Sequence, residues 1–268
     1  MPVLVTGPGS TLGLQVARVL AATGGEVRAF CDRDAFLHEL RQLGIFCAVG
    51  SLLDEGHLET AMEQVHTVVH LPVGPLAADP ERIIDEAATV VAAAIGAQVR
   101  RIVCLSVPAP ALDAPDRLRR AAADVELLVA EAPSATAVIR ASLVDTPELR
   151  AALARTPLRR EALECLVAPL RPEDLAELIH WLDDRDNVAG GHDVFAADGP
   201  EVVPLRMHLR ALGLTPLSVV GRVTERLRSG PAPLLSEVFA TPWASVTDIV
   251  SAWEASGITP LSPLEATT

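Results

Sequence analysis

The chain has 268 residues, half of them hydrophobic, and a formal net charge of −13. That length supports one large domain with its own core, or one domain plus a small appendage. The carboxylates are spread along the chain, which excludes a basic face for nucleic acid; no apolar run is long enough to span a bilayer, and Met1 leads into an apolar strand without a signal-peptide pattern, so a cytoplasmic protein is expected.

Short apolar runs alternate with amphipathic stretches. Val3–Thr6 reads as a strand, 12–23 as a helix with Leu12, Val16, Val19 and Leu20 on one face, and Val27–Cys31 as the next strand. A helix over 36–43 closes at Gly44 and a third strand follows over 45–49. A helix over 58–64, a strand over 67–71 and a long apolar helix over 80–95, stopped by Gly96, come next. The strand 101–106, helix 115–132 and strand 135–140 complete the series. Strict β/α alternation implies a parallel sheet with helices on both faces, and right-handed crossovers make it doubly wound. After residue 145 the rhythm breaks. Short helical pieces at 147–155 and 161–165 precede a firm helix, Pro172–Asp183, then a strand at 192–196 and helices at 205–212, 222–228 and 247–255. The expected organisation is an α/β core over residues 1–145, with residues 146–268 forming a smaller C-terminal lobe that completes the fold and covers a substrate cleft.

Two absences narrow the chemistry. The chain has no tyrosine, and all 22 basic residues are arginine. A GC-rich coding bias thins lysine and tyrosine at indifferent positions, but it does not remove them where a reaction depends on them. A Schiff-base lysine, a phosphate-loop lysine and a tyrosine general acid are therefore excluded.

The segment from Val3 to Gly13, VLVTGPGSTLG, is strand, glycine-rich turn, helix. A tight turn needs glycine first, a pyrophosphate needs close approach to N–H groups at a helix N-terminus, and close helix–strand packing needs a third glycine. Gly7 suits the first role and Gly13 the third, while Gly9, Ser10, Thr11 and Leu12 line the turn and helix start. An ordinary βα turn would also carry such residues; the βαβ unit that follows favours a dinucleotide site. Asp32 lies about 20 residues after the turn, where a carboxylate accepts the adenosine ribose hydroxyls. Its neighbour Arg33 suits a 2′-phosphate, so NAD and NADP both stay open.

These motifs carry a resemblance. TGPGSTLG, VRAFCDRD, VGSLLD, VVHLP, RIVCLSV, AVIRASLV and the later PLRPEDLAELIHWLDD and GITPLSPLEA resemble the atypical or extended short-chain dehydrogenases/reductases, NmrA-like and NAD-dependent epimerase-like, over nearly the whole chain. The resemblance implies a Rossmann-type fold, NAD or NADP as cofactor, and cofactor contacts from Ser51, Leu52, Leu71 and Pro72 as well as the turn. It also exposes departures. The second loop glycine falls at Ser10, the aspartate of the turn after the third strand at Ser51, and the alanine after the fourth strand at Pro72. The catalytic tyrosine and lysine fall at Leu118 and Ala122, and the serine near Val107, beside Ser106.

His66 and His70 lie four apart on a strand, about 13 Å by rise alone, so they do not form a metal pair. His70 and Ser106 end strands at the edge where ligands bind and are the weak candidates for catalytic contacts; a structural histidine and a strand-end cap are the ordinary alternatives. Asp145 reads as a helix-entry residue, Trp181, Trp243 and Trp253 as core, and Cys31, Cys47, Cys104 and Cys165 as reduced thiols. The expected function is an NAD(P)H-dependent enzyme acting on a small hydrophobic, quinone- or polyketide-like substrate without the serine–tyrosine–lysine triad. A non-catalytic NAD(P)-sensing regulator and a cofactor-independent isomerase or cyclase are the alternatives. Expected partners are the substrate alone, with no nucleic acid and no membrane; a homodimer is left open.

Overall fold

In chain order the elements are β1 (Val3–Thr6), α1 (Thr11–Ala22), β2 (Val27–Cys31), α2 (Leu37–Gln42), β3 (Phe46–Val49), α3 (Glu55–Ala61), β4 (Thr67–His70), α4 (Pro80–Gly96), β5 (Arg101–Ser106), α5 (Arg117–Ala130) and β6 (Ala135–Ala141). Then follow α6 (Pro147–Arg155), β7 (Leu158–Arg159), α7 (Arg160–Leu163), β8 (Leu166–Val167), α8 (Pro172–Asp183), β9 (His192–Ala197), β10 (Val203–Pro204), α9 (Leu205–Ala211), β11 (Ser218–Val219), β12 (Val250–Ser251) and α10 (Ala252–Ser256). The computed structural model describes residues 1–32, 34–72, 79–184, 191–215, 218–219, 235, 238–243 and 250–264. The helix expected over 222–228 lies outside the described residues.

Eight strands form one parallel sheet in the order β12-β9-β6-β5-β4-β1-β2-β3. The expected doubly wound, Rossmann-type architecture is what the chain adopts. β1 shows why its run is apolar throughout: Val3 and Val5 pack on one side and Leu4 on the other. β5 repeats this, with Val103 and Leu105 beside Val5 and with Ile102 and Cys104 beside Leu4. A strand covered on both faces alternates between two cores rather than between core and water. One core includes side chains of α1 and α8, the other those of α3, α4 and α5. β1 lies between β2 and β4, so the crossovers diverge there and open a cleft at the carboxyl ends of these strands.

Residues beyond 145 return to this sheet through β9 and β12, and α8 packs on α1. The stretches read as core and lobe thus share one sheet. The rest of the later stretch forms an antiparallel pair, β8 with β10, and a parallel pair, β7 with β11. No helix among the described residues is long and apolar enough to cross a membrane.

Local chemistry moves several boundaries. α3 starts at Glu55, ahead of the expected 58, because the Asp54 side chain accepts from His57 N at 3.1 Å and caps it. It cannot run to 64, where Gln64 has φ of 63°. α5 starts at Arg117 because Asp116 caps Arg119 N at 2.9 Å. Within the helix expected over 247–255, Val250 and Ser251 instead pair with Phe195 and Ala196 at the sheet edge before α10 begins. Cys31, Cys104 and Cys165 are buried and Cys47 half-buried, all as free thiols, and burial pushes Cys31 up to about 12.

Candidate active site

The turn between β1 and α1 has the geometry a phosphate needs. Gly7 has φ of 73°, a left-handed conformation that a side chain rarely adopts, and a Cβ there would lie 3.2 Å from the Leu71 carbonyl oxygen. A Cβ on Gly13 would lie 2.3 Å from the Gly7 carbonyl oxygen. Gly7 thus makes the tight turn, and Gly13 lets α1 close onto it. Ser10, where the family's second loop glycine falls, is extended, with φ of −118° and ψ of 161°, a conformation open to any residue. Its hydroxyl accepts from Gly13 N at 3.0 Å and caps α1.

A cavity of about 500 Å³ opens at this turn and continues along the carboxyl ends of β1, β4, β5 and β6. Gly7, Gly9, Ser10 and Leu12 line its phosphate end. Asp32, Leu52, Leu71 and Pro72 also line it, as do His70 and Ser106. Thr11 faces the side chain of Glu148, and Gly13 lies beneath the turn. Ser51 stands outside the cavity wall, its hydroxyl accepting from Leu53 N at 3.2 Å in the turn before α3. Arg33 lies outside the described residues.

Three carboxylates, Asp32, Glu86 and Glu148, line the cavity, and no arginine does so among the described residues. Glu86 is paired with Arg82 at 2.6 Å. Glu148 Oε1 accepts from Thr11 N at 3.1 Å and from Thr11 Oγ1 at 2.5 Å. Burial alone would raise the Glu148 pKa. Hydrogen bonds from Thr11, from its own N–H and from Thr146 outweigh that and hold the carboxyl below its usual range.

At the strand edge, His70 is buried, with Nδ1 2.7 Å from Thr6 Oγ1, and burial pushes its pKa down to about 3. Its Nε2 is buried without a hydrogen-bond partner, and so is Ser106 Oγ. His66 sits just before β4 against Thr67 Oγ1 at 3.0 Å, on a different errand. Leu118 and Ala122, where the tyrosine and lysine of the resemblance would stand, are fully buried in the core and do not line the cavity. Val107 and Trp243 do line it.

Asp145 is not the helix-entry residue it resembles. Thr146 caps α6 by accepting from Leu149 N at 3.3 Å. Asp145 instead accepts from Arg150 Nε and Nη2 at 2.7 and 2.8 Å and lies 3.4 Å from His208 Nε2. Sequence reasoning also missed Thr6, Glu86, Ser142 and Glu148, which reach the cavity from four different elements or loops. The signals they carried, a strand-end threonine and an acid in a helix's first turn, are common features of the fold.

The sequence profile of the NAD(P)H-binding family matches residues 7–154, more than half of the chain. The chain belongs to the NAD(P)H-binding family. None of the curated proteins matches it significantly in sequence. Among solved structures, the Citrobacter sp. triphenylmethane reductase complexed with NADP(H) is similar at a TM-score of 0.76 and 16% identity, over 99% of this chain and 98% of that one. The NADPH-dependent quinone oxidoreductase from Escherichia coli, complexed with NADPH, is similar at 0.76 and 18%, over 98% of each chain. A nucleoside-diphosphate-sugar epimerase from Staphylococcus aureus is similar at 0.76 and 14%, again over 98% of each. The resemblance to NmrA-like and epimerase-like proteins read from the sequence is borne out, and the cofactor of this NAD(P)H-binding family member is NAD or NADP. The site fits that group: the Gly7 turn admits a phosphate to the backbone, and Asp32 lines the cavity where ribose hydroxyls need an acceptor.

Proposed function

We propose that the protein is a reductase that uses NAD(P)H on a small apolar acceptor of quinone-like or polyketide-like chemistry, without a serine–tyrosine–lysine triad. The observation that carries this reading is the lining of the cavity. It brings the turn residues Gly7, Gly9 and Ser10 together with the apolar Leu105, Val107, Val144 and Leu149 and the buried Ser106 hydroxyl. The fold shared with a triphenylmethane reductase and a quinone oxidoreductase adds support.

When bound, NAD(P)H supplies a hydride. The apolar walls hold the acceptor and exclude water around it. Ser106 Oγ donates to the acceptor oxygen and holds it at the strand edge. No tyrosine or lysine is present to deliver a proton, and His70 is neutral over the working pH range. This reading therefore takes an acceptor whose reduced form is a stabilised anion, such as a hydroquinone monoanion or an enolate, which gains its proton from water.

A second reading, an NAD(P) sensor without turnover, is favoured by the same missing tyrosine and lysine. Fluorescence titration with NADH and NADPH, followed by oxidation assays over quinones and enones, separates the two. Binding with oxidation supports the reductase. Binding without oxidation across the panel supports the sensor, and no binding of either nucleotide overturns both.

A further inference from the structure

An α-helix leaves its first N–H groups without intrahelical partners, and anions settle there. In α1 that place is already taken by the protein itself. The Glu148 carboxylate holds both the backbone N–H and the hydroxyl of Thr11, at 3.1 and 2.5 Å, across 137 positions of sequence. α1 has no acidic residue in its own first turn, so Glu148 supplies the negative charge that this helix end favours. Two donors further in, Gly13 N is held by Ser10 Oγ.

Glu148 stands in the first turn of α6, which Thr146 caps. Its carboxylate thus lies at the N-terminal ends of two helices, both of which open on the cavity lined by Gly7, Gly9 and Ser10. Those glycines mark where a pyrophosphate comes closest to the backbone. A phosphate oxygen and Glu148 Oε1 cannot both occupy the place in front of Thr11 N. Asp32 also lines this cavity, so a further anion moving in beside Glu148 meets like charge.

We propose that Glu148 is an internal occupant of the phosphate seat, and that the dinucleotide enters only as this carboxylate swings away. Glu148 thereby sets cofactor affinity: the work of displacing it is subtracted from the free energy of binding. This rests on the cofactor-binding reading above, and the test keeps the two apart.

The protein and its variants E148Q, E148A and T11V are titrated with NADH by fluorescence, and their melting temperatures are measured with and without inorganic pyrophosphate. Both Glu148 variants are expected to bind NADH roughly tenfold more tightly than the wild type or better, with T11V between them because it loses the hydroxyl contact but keeps the N–H. Pyrophosphate is expected to raise the melting temperature of E148A and to leave the wild type unmoved. Should E148A fail to fold, the near-isosteric E148Q carries the comparison. Weaker or unchanged NADH binding by folded Glu148 variants overturns the proposal, as does a pyrophosphate response equal in all four proteins. A pyrophosphate response confined to the Glu148 variants, with no NADH binding by any protein, supports the internal anion and sinks the cofactor reading instead.

Discussion

Thr6 and His70 are register partners on β1 and β4, and Thr6 Oγ1 lies 2.7 Å from His70 Nδ1. Both line the cavity, and the ring is held neutral by burial, with its pKa down at about 3 against an ordinary 6.5. The unfolded chain therefore takes up this proton first as pH falls, and stability is lost progressively from about pH 6.5 toward pH 3. Urea denaturation at several pH values is expected to show a shallower loss over that window in His70→Asn, whose amide can keep a hydrogen bond to Thr6. Equal slopes for the two proteins would contradict a neutral buried ring.

Gly13 has no room for a side chain, because a Cβ there meets the Gly7 carbonyl at 2.3 Å and Pro8 Cα at 2.7 Å, both backbone atoms. Gly13→Ala is expected to destabilise by about 2 kcal/mol or more and to lose nucleotide binding. Gly25→Ala, whose Cβ would meet only the Met1 carbonyl at 3.7 Å, is expected to stay within about 0.5 kcal/mol of the wild type. Denaturation midpoints and NADH titration check both.

Arg119 ties the chain around residues 238–243 to α5. Its guanidinium bonds Asp116 at 2.6 Å, the carbonyls of Pro108 and Pro242 at 3.0 and 2.8 Å, and the Thr241 hydroxyl, and lies 4.9 Å from the centre of the Trp243 ring. Both members of the ion pair are buried, so removing one strands the other. Arg119→Ala is expected to cost about 3–5 kcal/mol. The pair of exposed Arg82 with half-buried Glu86 serves as the control, and Arg82→Ala is expected to cost about 1 kcal/mol or less. An Arg119 variant as stable as the Arg82 variant would remove Arg119 as the tie.

Asp145 is buried, which by itself raises its pKa, but hydrogen bonds from His208 and Arg150 hold it below the ordinary carboxylate value. Its contribution is present above that ordinary value, near 3.8, and disappears as pH falls through the lower folded value. Asp145→Asn is expected to cost roughly 2 kcal/mol at neutral pH, a figure kept modest because Arg150 is partly exposed. The difference from wild type should shrink as pH falls below the ordinary carboxylate value near 3.8. A cost independent of pH would assign the loss to packing rather than charge.

Ser106 tests the proposed chemistry. If its hydroxyl holds the acceptor oxygen, Ser106→Ala lowers kcat/KM for quinone reduction roughly tenfold while the NADH dissociation constant stays unchanged. Loss of NADH binding in parallel would place Ser106 on the cofactor instead.

Much of the fold was legible because its signals are local. Apolar runs of four to six residues separated by amphipathic stretches identify parallel βα units, and the turn from Gly7 to Gly13 lies within a seven-residue window. The boundaries that moved did so for local reasons as well, such as the Asp54 cap on α3 and the positive φ at Gln64. Ser10 is instructive: against the family's glycine spacing it is a departure, and only the structure shows that its hydroxyl caps α1. Asp145 was misplaced by one position, because Thr146 competes for the cap and wins while Asp145 finds Arg150 and His208.

The sequence by itself determined the doubly wound sheet, the glycine turn, and the absence of the tyrosine–lysine proton relay, since composition and short-range spacing suffice for each. Only the tertiary structure decided which charges meet. Glu148 reaches Thr11 across 137 positions, and the Arg119 guanidinium spans 122 and 123 positions to Thr241 and Pro242. Such pairs leave no periodic trace, because they depend on how α6 and the later chain fold back onto the open edge of the sheet. Helix ends and buried charges are satisfied by whichever partner the fold brings within hydrogen-bond reach, and that is settled by packing.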